Sequence, residues 1–312
     1  MIIINDRREC TDETDWEYDS RVFWWLSHWF RDFPDVYRVS SFDIPDLNLI
    51  KSEKYILLIK GNEHHLSFDN LYKKDKRLVA IIKNYPHLKN VASDPEEVIY
   101  EVNTTNTFPA VDPLPEDERT INIPLGYCNG FRSAHRLKRT LDRSFSGIHS
   151  QVRDDFLKTI ELQKPWGPTD HICTYQGFGG VYNNDHPNFL NREEYARLLG
   201  HSKFALCPGG ASPETYRISE AAASGCIIIR GILPNTEYYN TLPSIICPVI
   251  KESDSDSLKR HKINILDSRI KTFEKSYSKI VDYTIDWYNK WIDPQASAKR
   301  IANKLRSLNV VS

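Results

Sequence analysis

The sequence predicts an α/β fold of two domains, each a parallel sheet covered by helices, followed by C-terminal helices. Three observations carry that expectation. Short β-branched runs alternate with helical stretches, the alternation restarts near Arg143, and apolar residues after Ile263 recur at helical spacing. At 312 residues the chain exceeds the size at which one hydrophobic core keeps growing. A boundary near residues 138–143 therefore gives an N-terminal domain, 1–140, and a C-terminal domain, 141–312.

In the first domain the strand candidates are Ile2 to Ile4, Val36 to Ser40, Tyr55 to Lys60, Val79 to Lys83 and Ile121 to Leu125. Helices are expected from about Glu17 to Phe33 and from about Phe68 to Lys76. The segment Ser93 to Thr120 is rich in Pro, Asp, Glu and Thr and reads as irregular chain with one short strand at Val98 to Val102. The second series places strands at Ser144 to Ile148, Ile172 to Tyr175, Phe204 to Cys207, Cys226 to Arg230 and Ser244 to Cys247. Its helices are expected over Gln151 to Leu162, Arg192 to Gly200 and Glu214 to Ser224. Ile270, Phe273, Tyr277, Ile280, Trp287 and Trp291 then define one long helix, and Ala296 to Leu308 defines another after the Pro294 break.

Composition narrows the function classes. Lys and Arg number 41 against 42 Asp and Glu, a net charge of -1, so no global field draws the protein to a nucleic-acid backbone. An anionic partner must be caught locally. The opening MIIINDRREC is too briefly apolar for a signal core or a membrane span, so a cytoplasmic chain without a transmembrane segment is expected. The six cysteines lack CxxC spacing and read as free thiols, with no metal site.

The chemistry concentrates in Lys203 to Ile232. An apolar strand runs into Cys207-Pro208-Gly209-Gly210, where two glycines let the backbone approach a ligand closely. Ser212 is placed to cap the next helix, with Pro213 at its first position and Thr215 in its first turn. The free N–H groups and positive dipole end there suit a diphosphate. Arg217 and Glu220, three apart, share a helix face. The guanidinium can fork onto phosphate oxygens while the carboxylate, one turn deeper, accepts from ribose hydroxyls. Taken singly these features are common, since a Gly-Gly turn or an i, i+3 Arg/Glu pair is more often structural.

Together, Ser202, Phe204, Leu206, Pro208, Gly209, Gly210, Arg217, Glu220, Ala221, Gly225 and Cys226 form a pattern that resembles the exostosin-like glycosyltransferases (glycosyltransferase family 47). Lys83-Asn84-Tyr85, Ile123-Pro124-Leu125-Gly126-Tyr127 and Arg143-Ser144-Phe145-Ser146-Gly147 are similar to further landmarks of that family. The resemblance implies the GT-B arrangement, two Rossmann-like domains facing across a cleft, with the donor bound by the C-terminal domain and the acceptor by the N-terminal one. It implies an inverting enzyme of surface polysaccharide or glycan biosynthesis. The co-substrate would be a nucleotide-sugar, a UDP-sugar being favoured, with no cofactor and no metal, and the acceptor a glycan or lipid-linked sugar.

An inverting transfer needs a base near the acceptor hydroxyl. Glu63 and His64, after the strand Tyr55 to Lys60, are the favoured candidates, with Asp6 and Glu9 as others; a solvated loop is the alternative for all of them. Arg143 can reach the phosphates if its strand opens the second domain, and Arg7, Arg8 and Lys83 can close over them from the other side; a solvated cation is the alternative reading of each, and the leading one. Gly177 to Gly180 forms a second glycine-rich turn, either a donor contact or a surface loop.

Asp254-Ser255-Asp256 has the form of a metal-binding D-x-D, but its setting favours a loop that caps the next helix. Phe23, Trp24, Trp25, Trp29, Phe30 and Phe33 crowd the first long helix. Core packing is the leading reading, and a stacking platform for sugar or a peripheral membrane contact is the other. A non-catalytic carbohydrate- or nucleotide-binding protein on the same two-domain shell remains the alternative to an enzyme.

Overall fold

The computed structural model describes residues 2–3, 17–40, 46–60, 67–88, 110–128, 131, 137–175, 190–209 and 212–312. Its strands are β1 (Ile2–Ile3), β2 (Asp35–Ser40), β3 (Tyr55–Lys60), β4 (Leu78–Lys83), β5 (Ala110–Val111), β6 (Thr120–Asn122), β7 (Leu141–Ile148), β8 (His171–Tyr175), β9 (Ser202–Cys207), β10 (Ile227–Arg230), β11 (Leu233–Pro234) and β12 (Ser244–Ile246). The helices are α1 (Glu17–Trp29), α2 (Leu71–Lys74), α3 (Gln151–Gln163), α4 (Arg192–His201), α5 (Tyr216–Ala223), α6 (Glu237–Asn240), α7 (Asp256–Lys275), α8 (Tyr277–Trp291) and α9 (Pro294–Ser307). The expected strand Val98 to Val102 lies outside the described residues.

Two compact units result, both Rossmann-like in layering a mainly parallel sheet with helices. One comprises Met1–Glu101, Val111–Asn129 and Asn289–Ser312; the other comprises Val102–Ala110 and Gly130–Tyr288. The last helix therefore groups with the first unit, whereas the sequence division at residue 140 puts it with the second. Its apolar stripe explains the difference. Ala298, Ile301, Ala302 and Leu305 are buried at helical spacing, and α9 packs on α1, where Ser297 Oγ lies 3.0 Å from the Tyr18 hydroxyl.

In the first unit the sheet order is β1-β2-β3-β4-β6. β1 pairs antiparallel with β2, and β2, β3, β4 and β6 run parallel. β3 reads YILLIK and is buried at every residue, as a central strand covered on both faces requires. The landmark Gly126 acquires a packing reason. A Cβ there would sit 2.3 Å from Cδ1 of Tyr18, whose ring is buried against it. Gly126→Ala is thus expected to overpack this contact and cost about 1–3 kcal/mol. A chemical denaturation curve checks it, and an unchanged midpoint would remove the packing role.

Lys83 is corrected as a phosphate candidate. It is fully buried and its Nζ lies 2.7 Å from Glu116 Oε1, so its charge is spent inside the first unit. The α1 aromatics divide. Phe23 and Phe30 join the buried stripe with Tyr18, Val22 and Leu26, while Trp24, Trp25 and Trp29 lie outside it and Trp29 is 38% exposed. Core packing therefore accounts for Phe23 and Phe30, while Phe33 is half-buried and stacks on Phe30, and the tryptophans contact one another ring to ring along the helix.

The second unit has the order β12-β10-β9-β7-β8, all parallel. From β7 the chain moves outward to β8, then returns to the other side of β7 and continues through β9, β10 and β12. This is the doubly wound order 2-1-3-4-5, whose direction reverses between β7 and β9. Beneath the sheet, Arg139 gathers the carbonyls of Leu199, Gly200, Ser202, Ser224 and Gly225. Gly225 ends α5 with a positive φ of 65°, Gly225 N–H reaching Ala222 O and Cys226 N–H reaching Ala221 O. That double bond pattern is a Schellman cap, and glycine suits its left-handed position.

The expected long helix through Ile263 to Trp291 is two helices, α7 and α8, parted at Ser276. Ser255 Oγ caps α7 by accepting from Leu258 N–H, and Asp254 is held by Lys262 Nζ at 2.6 Å. The D-x-D segment is thus a helix start. Among the described residues, no helix is long and apolar enough to cross a membrane.

Candidate functional site

Ligands of open parallel sheets bind outside the carboxyl ends of the strands, at the point where strand order reverses. In the second unit that point lies between the ends of β7 and β9. Both strand ends carry chemistry. β9 leads into Pro208 and Gly209, and β7 ends in Phe145, Ser146, Gly147 and Ile148.

Arg217, in the first turn of α5, reaches the end of β7. Its guanidinium carbon lies 4.9 Å from the centroid of the Phe145 ring, and Nη2 donates to the Ser146 carbonyl at 2.9 Å. A side chain at position 147 would obstruct this, since a Cβ there would fall 2.4 Å from Nη2. Phe145, Ser146 and Gly147 thus supply a face, an acceptor and an empty volume for one guanidinium. Only part of its donor capacity is used, and Nε is buried without a hydrogen-bond partner. Burial pulls the pKa of Arg217 down, but Tyr195, Cys207, Glu220 and Tyr175 around it bring the net direction upward, so it is a cation throughout the neutral range.

Arg153, in the first turn of α3, joins the two walls of the same crevice. Its Nη1 donates to Ile148 O at the end of β7, and its Nε donates to Gly209 O, 3.1 Å away, in the turn after β9. Arg153 and Arg217 both act on the Tyr175 phenol at the end of β8, whose pKa burial nonetheless raises. Sequence reasoning missed Arg153. Its signal was the position two residues past a helix start that follows a strand end, which becomes informative only with the strand order.

The proposed anion-binding helix starts later than the sequence suggests. α5 begins at Tyr216 with Thr215 as its N-cap residue, extended at φ −147° and ψ 142°, and no side chain caps it. Ser212 and Pro213 precede the helix: Ser212 Oγ accepts from Glu214 N–H at 3.3 Å, a local turn that competes with helix. Gly209 sits in a tight bend, where a Cβ would lie 3.0 Å from Ser212 O. Glu220 is 4% exposed one turn below Arg217, and Glu214, which the sequence reading did not single out, is buried at the mouth of the helix.

Arg143 is corrected. It lies near the amino end of β7, away from the strand ends, and is 4% exposed. Nε donates to Asp170 Oδ1 at 2.9 Å, Nη1 to Lys164 O and Nη2 to Pro165 O and Asp170 Oδ2, while the guanidinium covers the Trp166 ring. A neutralised cation with every nitrogen engaged is structural. Glu63, His64, Asp6, Glu9, Arg7, Arg8, Gly210 and Gly177 to Gly180 lie outside the described residues.

No family model matches the sequence, and no curated protein sequence matches it. Solved structures resemble it at low identity. The pneumococcal O-GlcNAc transferase GtfA in complex with UDP and GlcNAc is 12% identical with a TM-score of 0.43, over 82% of this chain and 53% of that one. TarM is 13% identical with a TM-score of 0.40, over 94% of this chain and 58% of that one. The spinosyn rhamnosyltransferase SpnG complexed with thymidine diphosphate is 11% identical with a TM-score of 0.38, over 92% and 78%. The chain spans about half the length of the GtfA structures it matches. Likenesses this distant assign no activity to it.

Proposed function

We propose that the chain is a glycosyltransferase that moves a sugar from a nucleoside-diphosphate sugar, a UDP-sugar being favoured, to a hydroxyl of a glycan or lipid-linked sugar. The observation that supports this reading is the under-used Arg217 guanidinium held over Gly147 at the reversal point of a doubly wound sheet. A cation in that place, beside the N-terminus of α5 and the Gly209 turn, fits a diphosphate leaving group.

In the proposed reaction the acceptor oxygen forms a bond to the anomeric carbon as the bond from that carbon to the diphosphate oxygen breaks. The electron pair leaves with the diphosphate. Arg217 and the backbone N–H groups at the start of α5 stabilise the charge that develops there. Glu220 takes the ribose hydroxyls. The acceptor proton passes to a general base, for which Glu63 and His64 stay the candidates, and attack opposite the leaving group inverts the anomeric centre.

The test is turnover. Incubation with UDP-, GDP- and dTDP-sugars, read as release of nucleoside diphosphate, is expected to show hydrolysis or transfer from one base class. Binding without release from any sugar nucleotide would instead favour the non-catalytic binding protein.

A further inference from the structure

Four of the buried or part-buried arginines of the second unit have their charges met in different ways. Arg143 has Asp170. Arg139 has carbonyls at the carboxyl ends of α4 and α5, where helix dipoles present negative charge. Arg217 waits at the crevice between β7 and β9. Arg230 is the fourth, and the functional reading so far gives it nothing to do.

Arg230 ends β10 and is 5% exposed. Nε donates to Ser244 Oγ at 2.8 Å and Nη1 to Gly231 O at 2.9 Å. Among the described residues no carboxylate pairs with it and Nη2 has no partner. A buried cation without a counter-charge is costly to keep, and burial pulls its pKa down to about 10, which still leaves it charged at neutral pH. Its place in the sheet is specific. Arg230 is in register with Cys207, the last residue of β9, and the Cys207 thiol feels both Arg217 and Arg230. Arg230 thus stands at the end of β10, beside the end of β9, while Arg217 reaches the end of β7 on the other side of β9.

We propose that Arg230 is a second anion-binding residue of the donor site, taking the phosphate beyond the one held at Arg217. The identity of the ligand as a nucleoside diphosphate rests on the reading above. The site then requires two adjacent anionic groups, and a nucleoside monophosphate satisfies only one cation.

The test measures UDP and UMP binding by calorimetry, with the melting temperature of the unliganded protein, for the wild type, Arg230→Met, Arg230→Lys and Ser244→Ala. Arg230→Met is expected to weaken UDP by about tenfold or more while changing UMP by less than about threefold, with no fall in melting temperature, because an uncompensated buried charge has gone. Arg230→Lys and Ser244→Ala keep a cation and should hold UDP within about fivefold of the wild type. If Arg230→Met instead lowers the melting temperature and leaves the UDP-to-UMP ratio unchanged, Arg230 is only a strut between β10 and β12 and the proposal is wrong. Should Arg230→Met fail to fold, Arg230→Lys decides alone, an equal loss of UDP and UMP overturning it. Failure of the wild type to bind either nucleotide would count against the nucleotide-sugar reading, and pyrophosphate against phosphate on the same variants would then judge Arg230 separately.

Discussion

Arg217→Ala should weaken nucleoside-diphosphate binding by about 10- to 100-fold and lower kcat/KM by a further factor, while the unliganded protein keeps nearly its full stability. The two halves of that expectation come from the same geometry. Toward the ligand, a charge-assisted hydrogen bond is worth about 1.5–3 kcal/mol, and stabilisation of a developing charge adds to it in the transition state. Toward the fold, Arg217 contributes one bond to Ser146 O and a contact with Phe145, with Nε unpartnered. Its truncation therefore costs on the order of 1 kcal/mol. Calorimetry with UDP and a melt of the apo protein measure both. A large loss of stability with unchanged affinity would make Arg217 a structural residue like Arg143.

The second large effect is expected at Gly147. Gly147→Ala places a methyl where Nη2 of Arg217 lies, 2.4 Å from the ideal Cβ, and 3.0 Å from Cζ of the Phe145 ring; the flexible guanidinium is the group that yields most, with a small shift of the ring. The guanidinium then leaves the Ser146 carbonyl and the Phe145 ring. Binding of the diphosphate should fall by about tenfold, whereas stability should hold, because Gly147 lies inside β7 at no positive φ and alanine suits a strand better than glycine by about 0.5–1 kcal/mol. The Gly147→Ala, Arg217→Ala double variant should be no worse than Arg217→Ala alone, since both remove the same cation from the same place. Additive losses would mean that Gly147 acts on the ligand by some other route.

Much of the framework was legible in the sequence, and the reasons are local. β3, β8 and β10 were readable to within a residue because short apolar and β-branched runs declare strands, whereas their order in the sheet is seen only in the fold. The strand and helix of the candidate anion-binding segment were readable, but the helix start was misplaced by a Ser-Pro pair that forms a turn rather than a cap. The break at Ser276 was hidden because apolar spacing runs on through Phe273, Tyr277 and Ile280.

What the sequence withheld depends on distant partners. Arg143 looks like a site residue until Asp170, 27 positions away, is folded against it. The purpose of Gly147 appears only when Arg217, from another helix, occupies the space beside it. Arg153 becomes part of the site because α3 sets it between Ile148 O and Gly209 O, a juxtaposition set by strand order and invisible in spacing.

The most direct test of the central claim, that the ligand site lies at the reversal point between β7 and β9, is hydrogen–deuterium exchange with and without UDP. The account predicts slowed exchange in segments 146–153 and 207–217, and much less of that slowing in Arg217→Ala at a UDP concentration near the wild-type Kd. Protection confined to the strand ends of the first unit, or equal in the wild type and the variant, would contradict it.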